Sequence, residues 1–277
     1  MKTPRITLFA LTGFGNPVLS ALCANGLKPN LLVTRAEPGP FPYYDEVPLV
    51  ELAAELSVSC LMDAEGEQRV LADPPDVLLC ATYHRMLRAP MLKGVARAIN
   101  LHPSLLPHYR GPNPFYWVIR NGETATGLTA HVMTGDADAG PIIWSESIAI
   151  SPDETQGSLR RRLAALAAKA ALAVLRDIQD RKIVPIAQDE GQATSFGRPQ
   201  ESDRTFDPNW TVEQAGRLIR ALAPFPGVAI GQRIACGVLA REPASPVPPG
   251  TVIAEENRTC RLRVADGDII VQLSPLK

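Results

Sequence analysis

The sequence has little cysteine, no excess of positive charge and no long apolar run. The five cysteines in 277 residues lie far apart, whereas a disulfide scaffold or a zinc ribbon needs closely spaced pairs. Lys and Arg number 28 against 29 Asp and Glu, and proteins that bind nucleic-acid backbones usually carry a positive excess. No stretch approaches the roughly 20 apolar residues of a membrane span. We therefore expect a cytoplasmic protein with no membrane segment and no stable nucleic-acid partner.

Histidine is also scarce. The four histidines are His84, His102, His108 and His131, and none stands at metal-ligand spacing from another. The sequence therefore predicts no metal site.

The order of apolar runs predicts the fold. Short apolar strands alternate with helical stretches up to about residue 180, which is typical of an α/β protein with a doubly wound, mostly parallel, Rossmann-like sheet. Beyond residue 195, short strands are separated by Gly and Pro, which indicates a smaller C-terminal β-rich, OB-like module. We predict a catalytic domain at residues 1–190, a linker at 191–205 and the β-rich module at 206–277.

A glycine-rich turn follows the first predicted strand. Gly13-Phe14-Gly15 begins like a dinucleotide-binding fingerprint, but Val18 stands where the third glycine belongs. The turn is therefore interpreted as a tight strand-to-helix connection. An NAD-binding oxidoreductase stays open as an alternative enzyme class.

Polar side chains follow the fifth predicted strand. Asn100 and His102 are two residues apart on that strand, so they point to the same side of the sheet. An acidic tight loop, residues 134–140, lies between two later strands. An amide, an imidazole and a carboxylate would converge where open α/β sheets place their ligands, although the same residues would also suit a capped turn and a solvated acid.

Three motifs carry a family resemblance. They are Asn-Leu-His-Pro-Ser-Leu-Leu-Pro-His-Tyr-Arg-Gly at 100–111, the segment 117–127, and Asp-Ala-Asp-Ala-Gly at 136–140. Together they resemble the 10-formyltetrahydrofolate-dependent formyltransferase family. Ser195-Phe196-Gly197-Arg198 and residues 221–227 resemble the linker and C-terminal module of methionyl-tRNA formyltransferase and of the formyltransferase domain that acts on UDP-aminoarabinose. The resemblance covers essentially the whole chain.

The resemblance implies roles for individual residues. The family's catalytic asparagine, histidine and aspartate fall on Asn100, His102 and Asp138, with Asp136 as a loop neighbour. Asn100 and His102 would donate hydrogen bonds to an oxyanion. Asp138 would orient the imidazole and accept a proton from the attacking amine.

The same resemblance implies 10-formyltetrahydrofolate as the formyl donor, with no metal. The residues expected to hold the pterin lie in two loops: Arg85, Met86, Leu87, Gly135, Asp136 and Asp138. The residues expected to contact the substrate follow the catalytic strand: Ser104, Tyr109, Arg110, Gly111 and Asn113.

Charge suggests the class of amine that is formylated. The tRNA-acting relatives carry a basic insertion after the second strand, but residues 34–46 here hold one Arg against three acids, a net charge of −2. Residues 200–277 hold nine basic and nine acidic side chains. We therefore expect a small-molecule amine, first a nucleotide-linked amino sugar. The alternatives are an amino acid or hydroxylamine metabolite, methionyl-tRNA, or an inactive folate-binding protein. The oligomeric state, a homodimer included, stays open.

Overall fold

The computed structural model describes residues 4–36, 46–87 and 89–275. Contacts divide the chain into two compact units. The first unit comprises residues 1–111, 126–148 and 160–195, and the second comprises residues 112–125, 149–159 and 196–277. The chain passes between the two units several times, and only the last passage, after residue 195, falls within the predicted linker at 191–205. The predicted domain boundaries stay a prediction.

The larger sheet has seven strands in the order β3-β2-β1-β4-β5-β6-β7. The strands are β1 Ile6–Ala10, β2 Leu31–Thr34, β3 Cys60–Met62, β4 Val77–Ala81, β5 Arg97–His102, β6 Ala125–Val132 and β7 Ile142–Ala149. The first five strands in this order are parallel to their neighbours, and β6 pairs with β5 in the antiparallel direction. All residues of β1 and β4 are buried, as expected where helices cover both faces of a parallel sheet. The predicted doubly wound, mostly parallel sheet is confirmed.

The eight α-helices of the described ranges are α1 Gly15–Ala24, α2 Leu49–Glu55, α3 Asp63–Ala72, α4 Ala89–Lys93, α5 Pro114–Asn121, α6 Gln156–Gln179, α7 Glu201–Arg204 and α8 Val212–Leu222. The Ala- and Leu-rich sequence of α6 has high intrinsic helix propensity, which explains its length. A reciprocal capping box between Thr211 and Gln214 begins α8. Helices α3, α4, α5 and α7 were absent from the sequence prediction.

The smaller sheet lies in the second unit and is antiparallel. Its strands are β8 Val228–Ile230, β9 Arg233–Glu242, β10 Val252–Glu256, β11 Thr259–Arg263 and β12 Asp268–Leu273, in the order β10-β11-β12-β9-β8. The predicted C-terminal β-rich module is therefore confirmed. The segment 34–46, whose negative charge favours a small-molecule amine over tRNA, falls largely on residues 37–45, which lie outside the described residues.

Candidate active site

The two predicted catalytic residues of β5 lie on the same side of the sheet. Asn100 is half-buried and His102 is buried, while Leu101 between them is fully buried in the core. The alternation follows from the period of two in an extended strand. It presents an amide and an imidazole next to each other.

Asp138 reaches these two side chains from the loop between β6 and β7. Its Oδ1 lies 3.1 Å from Asn100 Nδ2, which donates to it, and 3.5 Å from His102 Nδ1. Its Oδ2 accepts a 2.9 Å hydrogen bond from the backbone N–H of Gly111. The structure thus brings together the three residues that the sequence predicted, and both Asn100 and His102 lie next to the Asp138 carboxylate.

His131 is a fourth member that sequence reasoning did not identify. It lies on β6 directly opposite Asn100, and its Nε2 is 3.2 Å from Asn100 Nδ2 and 3.4 Å from Asp138 Oδ1. Its Nδ1 lies 3.0 Å from the carbonyl of Val132, which only accepts, so Nδ1 carries the proton and Nε2 accepts from Asn100. Only the register between the two strands would have shown this pairing.

The tautomer of His102 follows from its backbone partner. His102 Nε2 lies 2.8 Å from the carbonyl oxygen of Tyr109. A carbonyl only accepts, so Nε2 carries the proton in the neutral ring and Nδ1, which faces Asp138, does not. Nδ1 is therefore the nitrogen with a free lone pair for chemistry.

Burial and charge set the protonation states of this pair. Burial lowers the pKa of His102, against the opposing effect of the Asp138 carboxylate. Burial alone would raise the pKa of Asp138, but the neighbouring His102, then His131, then the hydrogen bond from Gly111 hold that pKa well below its ordinary value. The carboxylate is therefore charged and the imidazole neutral at neutral pH.

The loops predicted to hold the cofactor meet in one hydrophobic cluster. Leu87 is buried in that cluster, and Met133, which precedes the acidic loop, packs against it. Met86 is 70% exposed, and a Cβ added at Gly135 would meet open space. Arg85 is paired with Glu67 at 3.2 Å. Contact of these loops with a pterin stays a prediction.

The residues predicted to contact substrate have diverse positions. Ser104 is fully buried and its hydroxyl donates to the carbonyl of His108, at 2.7 Å. Tyr109 has a left-handed backbone (φ 60°), and the buried Arg110 binds Glu190. Asn113 precedes α5 in the second unit. Substrate contact by these residues and by Gly111 stays a prediction.

Within the described ranges, no three His, Cys, Asp or Glu side chains are grouped as a metal ion would require. Among the same residues, no helix is both long and apolar enough to cross a bilayer.

A family model described as "Formyl transferase" matches residues 40–175, which include all four residues of the site. This match confirms the predicted family and enzyme class.

Solved structures share the whole fold at low sequence identity. An N-formyltransferase from Helicobacter canadensis, in complex with folinic acid and dTDP-3-aminofucose, has a TM-score of 0.77 and 16% identity over 98% of this chain and 99% of its own. WlaRD, a sugar 3N-formyl transferase in the presence of dTDP and 5-N-formyl-THF, has a TM-score of 0.78 and 15% identity over 100% of both chains. HypX from Aquifex aeolicus, in complex with tetrahydrofolic acid, has a TM-score of 0.70 and 18% identity over 98% of this chain but 44% of its own. These likenesses confirm the two-part fold.

Proposed function

The chain belongs to the formyl transferase family through residues 40–175, and from that premise we propose that it transfers a formyl group from 10-formyltetrahydrofolate to the primary amine of a nucleotide-linked amino sugar. The observation that carries the proposal is the convergence of Asn100, His102 and His131 on one oxygen of Asp138. When bound, the folate supplies the formyl carbon, whose bond to the folate nitrogen breaks as a bond to the substrate nitrogen forms.

His102 acts as the proton acceptor. The amine must lose a proton as its nitrogen bonds to carbon, and the lone pair of His102 Nδ1 receives it. The positive charge that develops on the ring lies 3.5 Å from the Asp138 carboxylate, which stabilises it. Because Nε2–H is donated to Tyr109, this mechanism assigns His102 a basic role rather than the oxyanion contact implied by the resemblance.

Asn100 combines two roles. Both hydrogens of its amide nitrogen have partners, one on Asp138 and one on His131. Donation to the formyl oxygen therefore replaces one of these bonds, and the longer contact to His131 Nε2, at 3.2 Å, is the one that yields. Donors aimed at a developing oxyanion typically contribute about 3 kcal/mol.

Two full-length structural relatives support a sugar-nucleotide amine. The first was solved with dTDP-3-aminofucose and the other with dTDP, and each is covered almost end to end by this chain. The balanced charge of residues 200–277 argues in the same direction, because it offers no field for an RNA backbone. We further propose that the protein works in the cytoplasm, where reduced folates are kept.

A panel of acceptors tests the proposal. The purified protein is incubated with 10-formyltetrahydrofolate and, in separate reactions, with nucleotide-linked amino sugars, amino acids, hydroxylamines and methionyl-tRNA. We expect one amino sugar to gain a carbonyl unit by mass spectrometry, with release of tetrahydrofolate. Faster formylation of another class would reassign the substrate, and folate binding without any product would favour an inactive folate-binding protein.

A further inference from the structure

A segment late in the first unit runs beside the loop that follows β5. We call residues 186–195 the strap. The backbone N–H of Arg110 donates to the carbonyl of Thr194 at 2.9 Å, and the N–H of Thr194 donates to Pro107 at 3.1 Å. Ile186 at the other end pairs with Ile142 by two 2.8 Å hydrogen bonds. The strap is thus tied both to the loop after His102 and to the start of β7.

The side chain of Gln188, in the strap, forms hydrogen bonds with the backbone at the end of the acidic loop. Its Nε2 donates to the carbonyl of Asp138 and to the carbonyl of Gly140, each at 2.7 Å. The amide nitrogen has two hydrogens, and both are used.

Arg110 determines which way the Gln188 amide faces. Its Nε and Nη2 donate to Gln188 Oε1 at 3.1 and 2.7 Å, so the amide oxygen points at the guanidinium and the NH2 group at the loop. Arg110 is 8% exposed and is itself paired with Glu190 at 2.7 Å. A flipped amide would set its donors against a guanidinium, which has no acceptor.

The backbone that Gln188 holds is an unfavourable one. Asp138 has φ 54°, in the left-handed region, which is sterically unfavourable for a residue with a Cβ. That conformation directs the carboxylate towards Asn100, His102 and the Gly111 amide. Without the two bonds from Gln188, the loop would relax towards ordinary dihedral angles and the carboxylate would turn away.

We propose that Gln188 is a positioning residue, which holds the backbone of Asp138 so that its carboxylate reaches Asn100 and His102. The catalytic consequence rests on the proposed function, since it is formyl transfer that depends on Asp138. The contact itself is independent of which amine is formylated.

The kinetic test compares Gln188→Met with Gln192→Met. Gln192 lies on the same strap, but its amide donates to Asp189 and does not touch the acidic loop. We expect Gln188→Met to lower kcat roughly tenfold or more, with KM for amine and folate within about threefold, because positioning acts on the transition state. Gln188→Glu keeps an oxygen for Arg110 without the N–H donors, and we expect no recovery. Equal kcat in the two Met variants, or full activity in Gln188→Glu, would overturn the proposal.

A spectroscopic measurement separates this inference from the proposed function. The ring signals of His102, identified by their loss in His102→Gln, are titrated by NMR. The Asp138 carboxylate raises the pKa of His102, so the midpoint should fall in Gln188→Met and stay unchanged in Gln192→Met. A midpoint that does not move in Gln188→Met overturns the positioning role. A wild-type protein that formylates no acceptor overturns the proposed function instead.

Discussion

Asn100 and His131 face each other across an antiparallel strand pair, with 3.2 Å between Asn100 Nδ2 and His131 Nε2. The contact fixes the plane of the Asn100 amide, whose other hydrogen is directed at Asp138. It also gives the amide a neutral partner that a substrate oxygen can replace, at the cost of one weak hydrogen bond.

Replacing His131 should therefore affect the reaction without disturbing cofactor binding. We expect His131→Leu to lower kcat about tenfold, because the Asn100 amide is no longer held in the plane that aims it at the substrate oxygen, while KM for the folate stays within about threefold. His131→Gln retains an acceptor and should recover much of the loss. Steady-state kinetics on variants of unchanged melting temperature would check this, and an unaltered kcat in His131→Leu would exclude a role for the contact.

The site differs in how far each member was predictable. Asn100 and His102 follow a recognisable apolar strand, so their shared direction follows from strand geometry alone. His131 lies in an equally recognisable strand, but its partner depends on the register between β5 and β6, which local pattern does not determine. Gln188 is 50 residues from Asp138 and lies outside the helices and strands, so only the folded chain brings the two together.

Four helices were missing from the sequence prediction, and α5 and α3 differ in how predictable they were. Helix α5 carries ordinary signals, with proline at its first position and Gly122 in a left-handed conformation after its end. Helix α5 was therefore predictable from the sequence. Helix α3 has few apolar residues, and Gly66 within it lowers its intrinsic propensity. A Cβ at Gly66 would lie 2.4 Å from Val33, so the glycine allows the helix to approach β2 closely.

Acid should destabilise the protein through His102. Burial holds its pKa in the folded state below the value of about 6.5 expected in the unfolded chain. As the pH falls below about 6.5, the unfolded chain takes up a proton first, so stability present at neutral pH is lost. Asp138, whose pKa is also lowered, acts in the same direction only below about pH 4.

Urea unfolding at pH 7.5 and pH 5.5 would measure the His102 contribution. We expect His102→Gln to reduce the difference between the two midpoints, and His108→Gln, at an exposed position, to leave that difference as in the wild type. An unchanged difference in His102→Gln would show that the acid sensitivity arises elsewhere.

Nucleic acid should bind only weakly. The chain has a formal net charge of −1, so few counterions are released when it meets a phosphate backbone. We expect methionyl-tRNA to bind no more tightly than the same tRNA without its methionyl group. The binding should weaken between about 50 and 200 mM salt. Filter binding or fluorescence anisotropy would measure this, and tight binding that depends on the aminoacyl group at physiological salt would overturn the small-molecule assignment.

Reduced folates should stabilise the protein. A ligand at about 100 times its dissociation constant adds about 2.7 kcal/mol to stability, which a thermal melt detects. Met86 is 70% exposed in the loop after β4, where the resemblance implies the pterin, so Met86→Ala should weaken the binding of 5-formyltetrahydrofolate about tenfold. Leu71→Ala, at a 50% exposed apolar position on α3, is the control and should leave the affinity unchanged. If folate does not raise the melting temperature of the wild type, that result would count against folate as the cofactor. A rise with NAD instead would favour the NAD-binding oxidoreductase hypothesis.

Formyl transfer should depend on the catalytic trio of Asn100, His102 and Asp138. The neighbouring Asp136 provides the internal control. Asn100→Ala removes a donor and should slow formyl transfer about a hundredfold. His102→Ala removes the proposed proton acceptor and should cost a similar factor. Asp138→Ala should cost at least as much, because its oxygens contact Asn100, His102 and the Gly111 amide at once.

Asp136 is exposed, and it lies on the same loop as Asp138. Asp136→Ala should therefore have a clearly smaller effect on kcat than Asp138→Ala. Each substitution removes one carboxylate, and the two positions are only two residues apart. Asn100→Ala and His102→Ala should bind 5-formyltetrahydrofolate within severalfold of the wild type, since these two side chains act mainly on the transition state. A larger effect at Asp136 would mean that the two aspartates exchange roles when substrate is bound, and a trio without effect on turnover in folded variants would refute the mechanism.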